Sequence, residues 1–514
     1  MSHITLVRPP ALISRHSGTG SLTPPIGLAY LASSLIEAGH LVTTIDALGE
    51  APFQRTSLFD NEIVATGLLK DEIVERVPPH TDLIGVSCMF SQDWPYIRQL
   101  IESLKERFPQ VPILTGGEHI TALPEFTLEN CSAVEYCVLG EGEETLVEVV
   151  DRLANLSTMK EVNGLVLRQD GKILRTPPRG RIKAIDDIPL PAWHLLPLET
   201  YLNNNLSSGI NRGRSMSMIA TRGCPHRCTF CSNPTMWTTK WIPRQPELVL
   251  DEIELYLKKY NVTNVDFYDL TAIVQKKWVV KFCQLIKERN LHFTWQLPSG
   301  TRTEAIDKEV CQLLYETGCY NLTFAPETGS SKTLKEIKKG VRIDRMLNSM
   351  KAAIESGLIT KFNIVIGFPN ETRYDVWQTI WFLVKIAWSG VYDVSISVFT
   401  PYPGSELFQE LREENKIPEI SDDYFLSLHS LVDPTRTVSW CKKISTEELH
   451  LLRILAHLIF FGTQYILRPW RFVHLLSNLI SKHEDSRLDK CLQDYVRRNF
   501  PKMYPEKVQE DTAF

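Results

Sequence analysis

The sequence predicts an α/β protein in three parts: a doubly wound parallel sheet, then a partial (β/α)6 barrel, then a helical C-terminal region. Three observations predict this. Short apolar runs alternate with amphipathic segments through residues 1–155, a second alternating series of six strand–helix units fills residues 216–405, and beyond residue 405 the strand signals cease. With 514 residues, 43% hydrophobic and 23% charged, the chain has ordinary globular composition and enough length for two or three domains. The net charge of −5 gives no general attraction to a phosphate backbone, so no nucleic-acid partner is expected.

In residues 1–155, strands are predicted at 4–7, 41–45, 83–87, 113–115 and 136–139. A helix from about residue 26 stops near Gly39, a C-cap residue, and helical patterns follow at 70–76, 96–108 and 144–153. A parallel sheet built this way is covered on both faces and binds ligands beyond the carboxyl ends of its strands. That edge carries Pro24-Pro25-Ile26-Gly27, Gly116-Gly117-Glu118-His119 and Gly140-Glu141-Gly142-Glu143. Residues 156–215 read as a Pro-rich connector with a small hairpin at 163–168 and 172–175. In the second series, strands at 218–221, 265–268, 293–297, 322–325, 362–366 and 394–399 are separated by helices at 246–260, 276–289, 304–317, 344–356 and 374–388. Barrels of this construction place the active site at the carboxyl ends of the strands. Residues 406–514 are helical, with a strongly apolar stretch at 451–461 and a segment mixing Tyr465, Trp470 and Phe472 with Arg468 and Arg471.

The first seven residues lack a basic region followed by an apolar run, so no secretory signal is expected. Nor is a transmembrane helix expected, because the nearest apolar stretches are broken by Lys385 and by Arg453 and His457. A cytoplasmic protein follows from both readings. The eleven cysteines are an odd number, and eight are scattered singly, which is not a disulfide framework. Cys88, Cys283 and Cys311 read as small buried hydrophobes. The other three form a cluster.

That cluster reads Thr221-Arg222-Gly223-Cys224-Pro225-His226-Arg227-Cys228-Thr229-Phe230-Cys231-Ser232-Asn233-Pro234 and directly follows the first barrel strand. Three thiolates on a tight loop suit iron or zinc. A closed zinc site needs a fourth ligand; the next cysteine is Cys283, and His226 sits inside the loop, poorly placed to close it. A three-thiolate 4Fe–4S cluster instead leaves one iron free to bind a small molecule. Spacing favours the cluster and keeps zinc as its competitor.

This CxxxCxxC pattern, after the first strand of a six-unit β/α series, resembles the signature of radical S-adenosylmethionine (SAM) enzymes. The resemblance implies that Cys224, Cys228 and Cys231 hold a 4Fe–4S cluster whose free iron binds the amino and carboxylate groups of SAM, and that an electron cleaves SAM to a 5′-deoxyadenosyl radical. Phe230 matches the aromatic usual before the last cysteine. Val265-Asp266-Phe267-Tyr268-Asp269 is similar to the second-strand motif, which would turn Asp269 toward the SAM amino group, with Leu270 where a second acid is usual. By its residues alone, Asp269 reads equally as a helix N-cap before Thr271. Arg302 would reach the SAM carboxylate or pair with Glu304. Glu327, in Ala325-Pro326-Glu327-Thr328-Gly329-Ser330, would accept from the ribose hydroxyls. Gly367, in Ile366-Gly367-Phe368-Pro369, would let the adenine approach the backbone. Phe399-Thr400-Pro401-Tyr402-Pro403-Gly404-Ser405 is similar to the sixth-strand ending.

The first domain resembles the cobalamin-binding domain fused to many radical SAM enzymes. Pro25 and Gly27 match its opening helix motif. Gly116, Gly117, His119 and Thr121 match its fourth-strand loop, with Glu118 where proline is usual, and Gly140, Glu141 and Gly142 match the loop after its fifth strand. The DxHxxG motif is absent, implying a lower cobalt face without a protein histidine, so His119 is either a ligand or is held within its loop. The related methylthiotransferases need three cysteines here, and Cys88, Cys131 and Cys137 do not match their spacing. The resemblance implies a cobalamin-dependent radical SAM enzyme that methylates an unactivated carbon. Cyclase-type chemistry on a tetrapyrrole or lipid is the alternative, and a non-catalytic cobalamin or SAM sensor is the reading that the intact cysteines oppose. An electron donor such as flavodoxin or ferredoxin and a small-molecule substrate are the implied partners. The aromatic, Arg-containing C-terminal region reads first as a helical lid on the barrel; it would also suit a large hydrophobic substrate or peripheral membrane contact.

Overall fold

The computed structural model describes residues 1–17, 22–271, 273–301, 305–417 and 419–499. Seven strands form the first sheet: β1 (His3–Arg8), β2 (Leu41–Asp46), β3 (Leu83–Ser87), β4 (Ile113–Gly116), β5 (Tyr136–Val138), β6 (Leu165–Gln169) and β7 (Lys172–Arg175). Across the sheet they stand in the order β7-β6-β5-β4-β3-β1-β2. The first five are parallel in the order 2-1-3-4-5, which makes β1/β3 the point where the winding reverses and a ligand crevice opens. Both faces are covered. Helix α1 (Ile26–Glu37) lays Leu28, Ala29 and Leu35 on one side, and the helix Trp94–Arg107 lays Ile97, Leu100 and Leu104 on the other. Each such fully buried aliphatic side chain contributes about 1.5–3 kcal/mol. A short helix, α2 (Glu118–Ala122), springs from the end of β4.

Two features differ from the sequence expectation. The hairpin assigned to the connector is part of the first sheet: Asp170 and Gly171 take positive φ in a two-residue turn, and β6 pairs antiparallel with β5. Pairing there removes the open edge that β5 would otherwise present. A small antiparallel sheet of Ala11–Ser14, Arg55–Leu58 and Ile63–Thr66 was not expected; it buries Ile63 and Ala65 against Tyr96. Strands this short carry little pattern of their own.

The barrel strands are β8 (Ser215–Met218), β9 (Asn264–Phe267), β10 (Thr294–Gln296), β11 (Asn321–Glu327), β12 (Ile359–Ile366) and β13 (Asp393–Val398). They form two parallel three-stranded sheets, β8-β9-β10 and β11-β12-β13. One bridge, Thr301 to Phe324, links them, with the Thr301 N–H donating to the Thr323 carbonyl at 2.7 Å. The barrel is therefore an arc, open on its far side. Two helices of this region matter below: α3 (Asn233–Trp237), just after the cysteine loop, and α4 (Arg373–Ser389), which a Thr372/Asp375 capping box starts and Gly390 ends.

The C-terminal region supplies α5 (Thr446–Leu467), α6 (Pro469–Ser481) and a last helix, Arg487–Asn499. Helix α5 is long and apolar enough to cross a membrane by length and composition, with 33% of that stretch buried inside the protein. The two interruptions do not lower its mean hydropathy enough, and Arg453 turns inward. Its guanidinium donates to the carbonyls of Ile396 (3.0 Å) and Asp433 (2.9 Å), while Leu449, Leu452, Ala456 and Phe460 are buried against α4 and β13. Helices α4 and α5 run parallel, tied at their starts by Arg373–Glu448 and at their ends by Arg468 donating to the Ala387 and Trp388 carbonyls. The region buttresses the barrel flank, and the start of α5 reaches its mouth.

Candidate functional site

The cysteine loop begins where Thr221–Arg222 pairs antiparallel with Ile242–Pro243. Gly223 takes φ +84°, and a Cβ there would collide with the Lys240 carbonyl. The Cys231 N–H donates to the Cys228 carbonyl at 3.1 Å, folding the three cysteines into one turn. Burial, with Cys228, Glu118 and Cys224 close by, pushes the Cys231 thiol up to about 12. Such a thiol ionises at neutral pH only with a metal to hold the thiolate. Three thiols of one loop without a fourth are the donor set of a cluster with one open iron.

Around the barrel mouth, Asp269 is buried and is not a helix cap, since the next helix starts only at Lys276. Its Oδ2 accepts from the Ala220 N–H at 3.1 Å, and its Oδ1 makes no well-formed hydrogen bond among the described residues. Burial pushes this carboxyl up to about 6, against the pull of Thr221 and the Ala220 N–H. An orphaned acceptor of this kind fits an ammonium donor. Glu327 ends β11 where the register with β12 shifts, and it takes φ +71°, a strained conformation for a residue with a Cβ. Its carboxylate is buried against Lys339 Nζ at 2.6 Å, and the same ammonium stands 5.8 Å from the Phe230 ring. Phe230 in turn packs on Phe368, with centroids 5.6 Å apart. Thus the cluster-loop aromatic, the fourth-strand carboxylate and the fifth-strand end meet.

Gly367 lies beneath the start of α5. It has φ +89°, and a Cβ on it would stand 2.6 Å from Leu449 of α5, so a side chain of this chain fills the space over it. Its N–H donates to Glu371 at 2.7 Å, and burial pushes that carboxyl up to about 7. Arg302 lies outside the described residues.

At the carboxyl edge of the first sheet, Gly117 has φ +121°, and a Cβ would run into the Cys88 carbonyl. Thr121 binds both glycine loops: its hydroxyl donates to the Gly117 carbonyl (2.9 Å) and accepts from the Gly140 N–H (3.0 Å). Gly116 faces Val138, Gly142 faces Leu31, and Pro25 and Gly27 start α1, with open space over Gly27. His119 is held within its loop. It is fully buried, stacks on Trp94 at 5.0 Å, meets Phe425 edge-on, and its Nδ1 pairs with Ser91 Oγ at 3.0 Å. Burial drives its pKa down to about 3. Sequence reasoning missed Met89 and Phe90, large apolar side chains exposed just past β3 at the winding reversal. An apolar ledge beside side-chain-free backbone fits a large planar ring.

The two carboxyl edges face each other. Glu118 accepts from Ser232 of the cysteine loop, and the Tyr402 hydroxyl accepts from the Ser91 N–H at 2.8 Å, while within the barrel rim Thr235 of α3 donates to the Gly404 carbonyl at 2.6 Å. Glu141, expected at the open edge, is buried between Arg222 at 3.0 Å and Arg181 at 2.7 Å, and Glu143 takes the other arm of Arg222 at 2.6 Å. Burial lowers the Arg222 pKa, but Glu143 and Glu141 more than offset this and hold it above the ordinary arginine value. Arg222 and Lys339 were missed from sequence because single cations beside a motif have no pattern; only their burial marks them.

Residues 218–383 match the Radical SAM superfamily, and residues 18–150 match the B12 binding domain. The chain is therefore a radical SAM enzyme with an N-terminal B12-binding domain. It is 28% identical over 473 residues to an uncharacterized methyltransferase of Pyrococcus horikoshii, covering 92% of this chain and 95% of that one. It is 26% identical to the anaerobic magnesium-protoporphyrin IX monomethyl ester cyclase of Rubrivivax gelatinosus, over 78% of this chain and 69% of that one. The fold matches OxsB, a cobalamin-dependent SAM radical enzyme solved with aqua-cobalamin and SAM bound, with TM-score 0.65 and 15% identity, over 97% of this chain and 75% of that one. More particularly, this chain pairs the two domains of a cobalamin-binding radical SAM enzyme, and its cofactors are a 4Fe–4S cluster, SAM and cobalamin.

Proposed function

We propose that the protein methylates an unactivated carbon of a hydrophobic or natural-product substrate. The observation that carries this reading is the contact of the two carboxyl edges through the cysteine loop, Glu118 to Ser232 and Glu141 to Arg222, which joins both cofactor sites into one. When bound, the three cofactors would supply a 5′-deoxyadenosyl radical for hydrogen abstraction and a methyl group for transfer. Cys224, Cys228 and Cys231 would hold the cluster. Asp269 Oδ1 would accept from the SAM ammonium, and Glu327, aimed by Lys339, would accept from the ribose hydroxyls. Arg302 would reach the SAM carboxylate, and the backbone at Gly367 would back the adenine. Pro25, Gly27, Gly116, Gly117, Gly140 and Gly142 would border the corrin, with Thr121 bracing both loops and Met89 and Phe90 adding apolar contact. His119, held by Ser91 and Trp94, would stay off the cobalt.

The eleven free cysteines suit a reducing compartment, so we place the enzyme in the cytoplasm, with flavodoxin or ferredoxin as electron donor and contact with a membrane surface. The test is anaerobic reconstitution, dithionite reduction and assay for 5′-deoxyadenosine, followed by incubation with SAM and methylcobalamin. 5′-Deoxyadenosine together with S-adenosylhomocysteine is the expected pair. Without 5′-deoxyadenosine, although iron and SAM are both bound, the radical reading fails. 5′-Deoxyadenosine without S-adenosylhomocysteine would favour cyclase-type chemistry, the second reading, which the Rubrivivax relative supports.

A further inference from the structure

We propose that the outer faces of α4, α5 and α6 form one docking surface for an anionic lipid bilayer. This rests on the membrane contact proposed above and adds the face that makes it and the lipid charge it reads.

The barrel needs α4 and α5 only for their inner sides. On the outer side of α4, Trp377, Trp381 and Trp388 follow one another at helical spacing, and Trp381 is 60% exposed. On the neighbouring α5, Leu451, Ile454 and Leu458 make a second stripe opposite the inward-turned Arg453, and Ile466 near its end is 82% exposed. Helix α6 continues it with Trp470, Val473, Leu476 and Ile480, the last 83% exposed. Isolated exposed apolar residues are ordinary, but three neighbouring helices each showing an apolar stripe are not.

Charge says what covers the surface. From Leu449 to His483 the sequence contains no Asp or Glu, whereas Arg468 and Arg471 lie within it beside the inward-turned Arg453. Outward-facing α4 residues from Val376 to Ser389 likewise include no acid and one lysine, Lys385. The nearest acids, Glu448, Glu484 and Asp485, are at the ends and are engaged: Glu448 with Arg373, the buried Glu484 by the Asn211 N–H, and Asp485 with His474 and His483. A second copy docking by two-fold symmetry would set this acid-free face against itself, cation to cation. An anionic lipid surface supplies the missing charge, and tryptophans at three points suit the interface between headgroups and acyl chains. The helix that carries the surface also reaches the site: Leu449, buried at the start of α5, covers Gly367 at the barrel mouth. A lipophilic substrate in the bilayer would thus lie beside the rim through which it must enter.

The test uses the reconstituted full chain, sedimented with vesicles of phosphatidylcholine alone and of phosphatidylcholine with phosphatidylglycerol. Binding about tenfold stronger to the anionic vesicles, weakened by salt, is expected. Trp381→Glu and Leu458→Glu are each expected to lower that binding about tenfold while cluster absorbance and 5′-deoxyadenosine formation stay unchanged. Wild-type protein left in solution with both vesicles overturns the inference and the membrane contact beneath it. Equal binding to both vesicles overturns the charge reading, and undiminished binding of both variants overturns the choice of surface. Sedimentation velocity without lipid is the last arm: a dimer that both variants dissociate assigns the face to a second copy and overturns the proposal. None of these outcomes depends on substrate turnover, so the methylation reading stands or falls separately.

Discussion

Arg222, two residues before the first cluster cysteine, spans Glu141 and Glu143 of the cobalamin-binding domain, at 3.0 and 2.6 Å. All three are buried, and the Arg222 guanidinium also lies 5.3 Å from the Tyr30 ring. The strand that launches the cysteine loop is thus anchored to the other cofactor's domain. Arg222→Met should leave two buried carboxylates short of a partner and destabilise the protein by about 3–5 kcal/mol. Adding Glu141→Gln and Glu143→Gln to it should recover part of that loss. Thermal unfolding of the three proteins checks this; no recovery in the triple variant would mean that the cost comes from lost packing rather than stranded charge.

Lys339 holds Glu327 at 2.6 Å and caps the Phe230 ring. Lys339→Met should raise the KM for SAM about tenfold, with a smaller change in kcat, because the carboxylate loses its aim rather than its identity. Lys339→Arg should keep most of the affinity. SAM binding to the reconstituted variants measures both.

Gly117 stands at φ +121° with the Cys88 carbonyl where a side chain would go. Gly117→Ala should cost about 1–3 kcal/mol and weaken cobalamin binding while leaving iron content unchanged. Loss of iron together with cobalamin would show that the two sites do not fail independently.

His119 is neutral in the folded protein, with a pKa near 3, against about 6.5 unfolded. The unfolded chain therefore takes up the proton first, and stability falls as pH drops below about 6.5, by about 1.4 kcal/mol per pH unit from this group. The fall continues until the folded pKa is reached. His429, with a pKa lowered to about 4 chiefly by burial, adds to the same slope. His119→Phe should flatten the dependence of the melting temperature on pH between pH 6.5 and 5; an unchanged slope would refute the assignment.

Much of the architecture was legible because periodicity reports burial directly. The five parallel strands of the first sheet and the six of the barrel are runs of residues such as Ile84-Gly85-Val86 or Phe362-Asn363-Ile364, whose pattern belongs to the chain alone. The short strands Ala11–Ser14 and Ile63–Thr66 escaped because four residues hold too few alternations to register. Helix α5 has the length and composition of a membrane span for a related reason. Arg453 breaks an apolar run in sequence but faces inward, where two carbonyls satisfy it, and the helix stays apolar outside.

The cluster loop and the order of the barrel motifs were determined by the sequence alone, since donor type and spacing are local covalent facts. So were the glycine loops of the first sheet. What lies opposite each group was decided only by the tertiary structure. Glu141 was read as part of the loop after the fifth strand, and Arg222 and Arg181, distant in sequence, bury it; Gly367 was read as letting a ring approach the backbone, and Leu449 of a later helix takes the side where a Cβ would point. Cross-domain pairing of this kind depends on how two separately patterned units dock, and docking geometry leaves no period in either sequence for a reader to find.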